Sequence, residues 1–547
     1  MRSASGSAAP SRLRLAFAAL AAVFLIVPLI VSLPLLDPDE GLHAAIAQEM
    51  VIHHDYVTPT FLREPFLDKP ILFFWTEALS LRVFGMREIA VRIPPLVFGL
   101  LGMLAVAALA RTLFDEQRAL IAGIVYASML LPLGVSQVAV HDVALVPFMC
   151  SAAICLFHAA RSPHAARWGI AIGLCLGLSI LTKGLVGVVF TGIFGLCLAA
   201  ADRGSFRRIA TALAVGIAVA AILAAPWYIA MERAHPGYLH YYFVERHVRA
   251  YLTPTQPHAG RPWWYYAPIV IGGTLPWTGF LVGAVRAAWR DRARILPLLL
   301  IAWAAIGLVF LSAGESKLIT YVLPVFPALA IVVADYLVTA WRPRAAAWRW
   351  AAAVSLLFAV LLPPVAAAAL HRVFAPSGNA ALIAAAFASA VTLIAAADAW
   401  RARTLQRFTT SAAGATALSF SILMTLVAPQ MAAWMTSRDL ARVLNRQGTL
   451  PSRVLIVGER VGSLVFYLSD PLRREANGDR ITNVPMTEDV FEALSGDPPD
   501  TLLAVRDDRL ERFIRLFPVA PIADARAGTF TLFRVEQMRA ALASPPR

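Results

Sequence analysis

Charge is what this sequence has least of. Only 15% of its 547 residues are Asp, Glu, Lys or Arg, while 59% are hydrophobic; soluble domains carry roughly 25% charged residues. That scarcity excludes a soluble globular protein, and the apolar excess excludes disorder and fibrous repeats. Cysteine is equally sparse. Cys150, Cys155, Cys175 and Cys197 all lie inside apolar stretches, so no disulfide framework is expected even in an oxidising compartment. No spacing of side chains resembles a metal site. There is no G-x-G-x-x-G or Walker motif, which leaves nucleotide binding without a basis, and no internal repeat is apparent. Acidic residues are outnumbered 34 to 48, giving a formal charge of +14. In a soluble chain that excess would suggest nucleic acid. In one this apolar, basic residues mark the cytoplasmic ends of membrane spans, and no nucleic-acid partner is expected.

Long hydrophobic runs are what the sequence does have. A bilayer takes about 20 residues of helix, and thirteen charge-free stretches approach or reach that length: Leu15–Leu36, Ile93–Ala110, Ala119–Val140, Val143–Ala160, Trp168–Thr182, Gly184–Ala201, Ile209–Met231, Pro262–Val285, Ile295–Gly314, Leu318–Ala334, Trp350–Leu370, Ala380–Ala397 and Phe408–Ser437. Lys183 alone separates the fifth from the sixth, so two helices with a tight turn at Lys183-Gly184 fit better than one very long helix. The first run is too long for a signal peptide, and Ser32-Leu33-Pro34-Leu35-Leu36 lacks a small-x-small cleavage site, so it is read as a retained span.

Basic residues fall in every second connection. Arg2, Arg12 and Arg14 precede the first span, and Arg111 with Arg118, Arg161 with Arg167, and Arg203 with Arg207 and Arg208 follow. Arg286 to Arg294, Arg342 to Arg349 and Arg401 to Arg407 complete the set. These loops are expected in the cytoplasm with the N-terminus, and an odd span count puts the C-terminus outside. Three longer segments share the outer side. Asp37 to Arg92 contains a helical pattern over Glu40–His53 and an apolar stretch, Ile71–Phe84, that holds Glu77 and Arg82 and is expected along the interface. Glu232 to Arg261 is rich in Tyr, His and Arg. The tail from Arg438 to Arg547 reads as strands at Val454–Val457, Thr501–Val505 and Thr529–Phe533 with amphipathic helices at Arg438–Arg446 and Asp508–Leu516. The expected architecture is a polytopic α-helical membrane domain (1–437, with outer loops 37–92 and 232–261) and a small soluble α/β domain (438–547).

In a membrane protein the informative residues are ionisable groups beside or within spans. Asp37-Pro38-Asp39-Glu40 follows the first span directly. Asp68-Lys69-Pro70 places a lysine before an aromatic run, and a buried lysine needs an anion. His141-Asp142 opens the fourth span, Lys183 sits between two, Glu245-Arg246-His247-Val248-Arg249 lies in the second loop, and Glu315-Ser316-Lys317 with Tyr321 lies at another helix mouth. All fall on the outer side. Carboxylates with several cations, open to lipid, suit a phosphate ligand: Lys and Arg neutralise it and a carboxylate orients or activates a reacting group.

At these residues the chain resembles the integral-membrane (GT-C fold) glycosyltransferases that use polyprenyl-phosphate sugars, and within them the 4-amino-4-deoxy-L-arabinose lipid A transferases. Asp37-Pro38-Asp39-Glu40 is similar to their P-D-E motif and Asp68-Lys69-Pro70-Ile71 to an E-K-P-I segment. Glu245, His247 and Arg249 resemble an E-x-H-x-x-R-F segment, Pro262-Trp263-Trp264-Tyr265-Tyr266 with Leu275-Pro276-Trp277 a P-x-W-Y-Y…L-P-W pair, and Lys317–Pro324 a K-L-P-T-Y-I-L-P segment. The resemblance covers most of the chain and implies about 13 transmembrane helices. It implies transfer of a sugar, 4-amino-4-deoxy-L-arabinose above all, from undecaprenyl phosphate to a lipid A phosphate or other glycolipid acceptor at the periplasmic face of the bacterial inner membrane.

Carried across, Asp39, Glu40 and Asp142 become the catalytic candidates. Lys69, Lys183, Glu245, His247, Arg249, Lys317 and Tyr321 become the substrate-binding ones. No cofactor is firmly implied. Asp37, Asp39 and Asp142 offer oxygen ligands, but a divalent cation is not favoured because Lys69 already supplies positive charge. The family continues D-E-x-R-Y-A where this chain has Asp39-Glu40-Gly41-Leu42-His43-Ala44, and Ile319 replaces a proline, so transfer to protein or lipopolysaccharide-core hydroxyls is the alternative. Transport of an anionic lipid is a weaker one, since transporters place their charges at the midplane, and a non-catalytic scaffold is weaker still.

Overall fold

Prolines and glycines decide where the apolar stretches bend. The computed structural model describes residues 8–255, 258–341, 346–373, 380–458, 462–484, 490, 495–517 and 526–543. Arg2, Arg342 and Arg344 of the basic pattern lie outside the described residues.

Walking along the chain, α1 (Ala8–Ile30) leads to α2 (Asp39–His53) and α3 (Leu72–Phe84) of the first outer segment. Then come α4 (Glu88–Leu113), α5 (Glu116–Ser128), α6 (Leu130–Val135), α7 (Asp142–Arg161), α8 (Ala165–Lys183), α9 (Val186–Ala201) and α10 (Phe206–Ala234). The second outer segment holds a π-helical turn, His240–Arg249, and the short α11 (Ala250–Leu252). It is followed by α12 (Tyr266–Gly273), α13 (Thr278–Arg290), α14 (Ile295–Ala313), a 3-10 turn at Ile319–Val325, α15 (Phe326–Ala340), α16 (Ala346–Val373), α17 (Ala380–Arg401), α18 (Leu405–Leu426) and α19 (Ala428–Trp434).

All thirteen stretches fall on helix. Among the described residues eight helices are by themselves long and apolar enough to cross a bilayer: α1, α4, α7, α8, α10, α14, α15 with its 3-10 lead-in, and α18 with α19. The other five stretches fall on α5–α6, α9, α12–α13, α16 and α17. The expected turn at Lys183 is present: α8 ends there, and Gly184 turns the chain at φ +67° into α9. Pro262–Val285, read as one span, is instead two helices bent by 102°. The α5–α6 stretch is interrupted as well, at Met129. The two breaks meet. Leu130 N–H donates to the Leu275 carbonyl at 3.1 Å, and Trp277 Nε1 donates to Ser128 Oγ at 2.9 Å. Each interrupted helix thus satisfies groups freed by the other, as apolar surroundings demand.

Small residues set the tightest packing. Along α8, a Cβ at Gly169 would lie 2.8 Å from the Ala212 carbonyl and one at Gly173 would lie 2.7 Å from the Gly216 carbonyl, both on α10. Here hydrogen replaces side chain so that two helix backbones can touch. At the basic end of the bundle, buried Asp335 on α15 accepts from Arg118 Nε at 2.7 Å and from Arg294 Nη2 at 2.6 Å. Two loops assigned to one side by charge therefore share a carboxylate.

The tail forms α20 (Arg438–Gln447), β3 (Val454–Val457), α21 (Gly462–Tyr467), α22 (Asp470–Glu475), β4 (Ile481–Val484), β5 (Leu502–Arg506), α23 (Asp507–Leu516), β6 (Arg526–Ala527), β7 (Phe530–Arg534) and α24 (Val535–Ala543). A two-residue hairpin, β1 (Thr60–Phe61) with β2 (Glu64–Pro65), belongs to the first outer segment. The tail sheet has order β4-β3-β5-β7-β6, with β3 parallel to β4 and β5, and β7 antiparallel to β5 and β6. One of its two cores includes Ala45 and Leu62 from the first outer segment. This explains a departure in α2. The pattern there suggests one apolar face, yet every residue from Glu40 to Met50 is buried, because α3 packs on one side and α21 on the other.

Candidate active site

The sequence Asp37-Pro38-Asp39-Glu40 sets three carboxylates at the start of α2, and each meets a different environment. Asp37 is buried and accepts from Ser437 Oγ at 2.9 Å, from Ser463 N–H at 2.8 Å and from Ser463 Oγ. Glu40 is buried in a two-pronged ion pair with Arg92 of α4, Nε at 2.9 Å and Nη2 at 2.7 Å, and also accepts from Leu36 N–H. Asp39, between them, is exposed. Among the described residues no hydrogen bond or ion pair occupies its carboxylate.

A cavity of about 390 Å³ opens among the outer segments and helix ends, and Asp39 is not among its lining residues. Part of the lining is polar, from Asp68, Lys69, Asp142, Lys183, Arg246, His247, His258 and Tyr321; part is apolar, with Leu145, Leu185, Val186, Val189, Leu252, Phe310 and Leu311 from α7, α9, α11 and α14. Lys183 pairs with Asp142, and its Nζ stands 4.1 Å from the centre of the Tyr321 ring. Arg246 pairs with Asp68 at 2.9 Å, and Asp68 also accepts from Tyr241 Oη at 2.6 Å. Lys69 has no hydrogen-bond or ion-pair partner among the described residues. The lining therefore carries three cations against two carboxylates, and both carboxylates are taken.

Imidazoles surround this unpaired ammonium. His247 donates from Nδ1 to the Tyr242 carbonyl, 2.7 Å away. Burial first, and then Lys69 and Arg246, push its pKa below the ordinary histidine value. His258 is lowered by burial and then by the same two cations. His43, buried on α2 with Nδ1 2.7 Å from the Ala139 carbonyl, is lowered chiefly by burial, and it feels Asp39, Lys69 and Asp142 together. His43 thus marks the point where three distant stretches of chain converge. It also packs on His141, with ring centres 4.7 Å apart. None of the departures from the family pattern, Leu42, His43 and Ile319, lines the cavity.

Of the residues singled out from sequence, the fold brings Lys69, Asp142, Lys183, His247 and Tyr321 to one cavity; Asp39 does not line it, though His43 and His258 feel its charge together with that of Lys69. It does not bring Glu40, which is tied to Arg92, nor Glu245 and Arg249, which pair with one another at 3.0 Å on the outer face of the π-helical turn. Lys317 is buried, donating from Nζ to the Arg261 carbonyl at 3.2 Å, while Ser316 and Tyr321 on either side line the cavity. Arg246 and His258 were missed. The signal for Arg246 was hidden by winding: with i→i+5 bonding, Tyr242, Arg246, His247 and Tyr251 share the inner face, a spacing that an α-helical reading assigns to different faces. Among the described residues no group of three or more His, Cys, Asp or Glu side chains is placed to hold a metal ion.

Known proteins share this architecture. Over 97% of this chain and 99% of the other, the fold matches the crystal structure of ArnT from Cupriavidus metallidurans bound to undecaprenyl phosphate, with a TM-score of 0.77 and 24% identity. The chain has the GT-C fold. Residues 68–229 match the family described as dolichyl-phosphate-mannose-protein mannosyltransferase. The chain is also similar to undecaprenyl phosphate-alpha-4-amino-4-deoxy-L-arabinose arabinosyl transferases. The relative from Aeromonas salmonicida is 36% identical over 55% of this chain and 56% of its own length. The relative from Erwinia tasmaniensis is 32% identical over 67% and 66%. The matched region thus spans between half and two thirds of these relatives. The chain thus has the GT-C fold with many membrane-length helices, and over part of its length it is similar in sequence to aminoarabinose transferases.

Proposed function

We propose that the protein is a glycosyltransferase of the bacterial inner membrane that moves 4-amino-4-deoxy-L-arabinose from undecaprenyl phosphate to a lipid A phosphate at the periplasmic face. The observation that carries this is Lys69: an ammonium without a hydrogen-bond or ion-pair partner among the described residues, in a cavity lined by charged side chains together with apolar ones from α7, α9 and α14. A charged head on a long hydrocarbon chain has that polarity. In the reaction the bond from the sugar's anomeric carbon to the donor phosphate oxygen breaks, and a bond to an acceptor phosphate oxygen forms. The electron pair leaves with undecaprenyl phosphate, whose added charge Lys69 and Arg246 stabilise. Lys183, held by Asp142 and stacked on Tyr321, keeps the neighbouring wall cationic.

A phosphate acceptor is already ionised at neutral pH and needs no general base. Asp39 then acts by placing or electrostatically steering the amino sugar, whose ammonium suits a free carboxylate. Positive charge comes from lysine and arginine, and no step is assigned to a divalent cation. Glu40, Glu245 and Arg249 are left outside the reacting set, because their charges are already spent on one another or on Arg92. Lys317 stays a substrate-side candidate, since its buried ammonium has only a backbone carbonyl.

The test is transfer by the purified protein from undecaprenyl-phosphate-linked 4-amino-4-deoxy-L-arabinose to lipid A, read by mass spectrometry. Lys69→Ala and Asp39→Asn are expected to lower turnover on the order of 10²-fold or more with unchanged thermal unfolding. Wild-type rates in both variants would refute the assignment. A product on protein or on core-sugar hydroxyls would instead support the alternative acceptor, and Asp39 would then take the hydroxyl proton as base.

A further inference from the structure

The tail meets the membrane part at several places, and one of them is the loop that presents Asp39. Asp37 Oδ1 accepts from Ser463 N–H at 2.8 Å, and Asp37 Oδ2 accepts from Ser437 Oγ at 2.9 Å and from Ser463 Oγ. Ser463 Oγ also accepts from Ser437 N–H at 2.9 Å, and Asp37 N–H donates to the Met435 carbonyl at 2.6 Å. One turn further on, α2 and α21 cross backbone to backbone. A Cβ at Gly41 would lie 2.3 Å from Ser463 N, and one at Gly462 would lie 2.1 Å from Leu42 N. On the opposite flank, Glu40 is locked to Arg92 of α4. Asp39 therefore sits between two anchors, one in the bundle and one in the tail, one residue from the first and two from the second.

We propose that the tail is a working part of the transfer site, with Gly462 and Ser463, and Ser437 at its junction with the bundle, as positioning residues that fix Asp39 through Asp37. The proposal rests on Asp39 serving the transfer reaction described above. Among the described residues none from the tail lines the cavity. The tail's contribution is geometric: a rigid carboxylate on a short tether needs both ends of the tether held, and a displacement near 1 Å from a remote change is worth on the order of 10²-fold in rate.

The experiment uses the full-length protein and three variants: Asp37→Asn, the double variant Ser437→Ala/Ser463→Ala, and the conservative Ser463→Thr. Two quantities are read: turnover against KM for the polyprenyl donor, and amide hydrogen exchange over residues 36–47. The expected result is faster exchange in that segment for the first two variants. With it comes a fall in kcat of about 10- to 100-fold, while KM for the donor changes little because the Lys69 end is untouched. Ser463→Thr, which keeps the hydroxyl, is expected to hold kcat near wild type. Freed exchange with wild-type kcat would overturn the proposal, as would unchanged exchange in both variants. A raised donor KM with constant kcat would also overturn it, by pointing to the phosphate end instead. Should the double variant fail to fold, Asp37→Asn alone decides, since it keeps the side chain's size. If the unmutated protein transfers no sugar, the underlying reading fails and this proposal falls with it; a wild-type rate lost only in the variants separates the two.

Discussion

Single residues here owe their roles to distant partners. Asp37, Asp39 and Glu40 have similar chemistry and adjacent positions, but Glu40 meets an arginine 52 residues away and Asp37 a serine 426 residues away. That distribution decides which carboxylate stays available. Removing Arg92 would strand the buried Glu40 charge, so Arg92→Ala is expected to cost about 3–5 kcal/mol, seen as a large drop in unfolding temperature in detergent. Histidine adds a pH dependence. His43 is held below its ordinary pKa first by burial, with Lys69 also opposing its protonation. Below about pH 6.5 the unfolded chain takes up a proton that the folded protein refuses, so stability is full above that point and declines as pH falls towards the lowered folded value. His43→Phe is expected to flatten the acid limb of unfolding temperature against pH, and an unchanged limb would count against the assignment. From sequence alone the convergence of Asp39, Lys69 and Asp142 was legible, because ionisable residues are so rare beside these spans. Which of the acidic residues would be spent on structure was not, since pairing depends on chain that is remote in sequence.

Helices are where the sequence speaks most plainly and where its silence is most specific. Apolar run length located all thirteen helical stretches, and Gly184 after Lys183 marked a turn correctly. Interruptions were harder to read. Thr274–Trp277 and Ser128–Met129 look continuous in hydropathy, because a break costs little apolar character once two broken helices supply each other's hydrogen bonds across 149 residues. Ser128→Ala or Trp277→Phe is expected to cost about 1 kcal/mol each. The double variant should cost less than the sum, as a double-mutant cycle would register. The π-helical turn at His240–Arg249 defeated pattern reading in a similar way, putting Arg246 and His247 inward and leaving Glu245 with Arg249 outside.

At the scale of the whole molecule, the alternation of basic and acidic loops predicted sides that the fold respects wherever contacts link them, as at Asp335. Orientation can be checked directly. The four native cysteines lie within helices, so single cysteines report cleanly. With intact spheroplasts, Gly478→Cys in the tail is expected to react with a membrane-impermeant maleimide and Gly204→Cys, beside Arg203 and Arg207, to stay unlabelled. The opposite pattern would invert the topology. What composition did not reveal is how little the tail is a separate body. Three of its strands and two of its helices were readable from β-branched runs and amphipathic periods, whereas β4, β6, α21, α22 and α24 were not, nor were Ala45 and Leu62 entering its core, because each is an ordinary buried residue in its own segment.

The seam between α8 and α10 carries a last implication. Gly169 lies fourteen residues before Lys183 on the same helix, about 21 Å along its axis. An added methyl there would wedge the two rods apart, and a stiff rod transmits a small tilt at its foot as a larger swing at its tip. A silent-looking glycine at one rim is thereby tied to the placement of an ammonium at the other, with no reacting group changed.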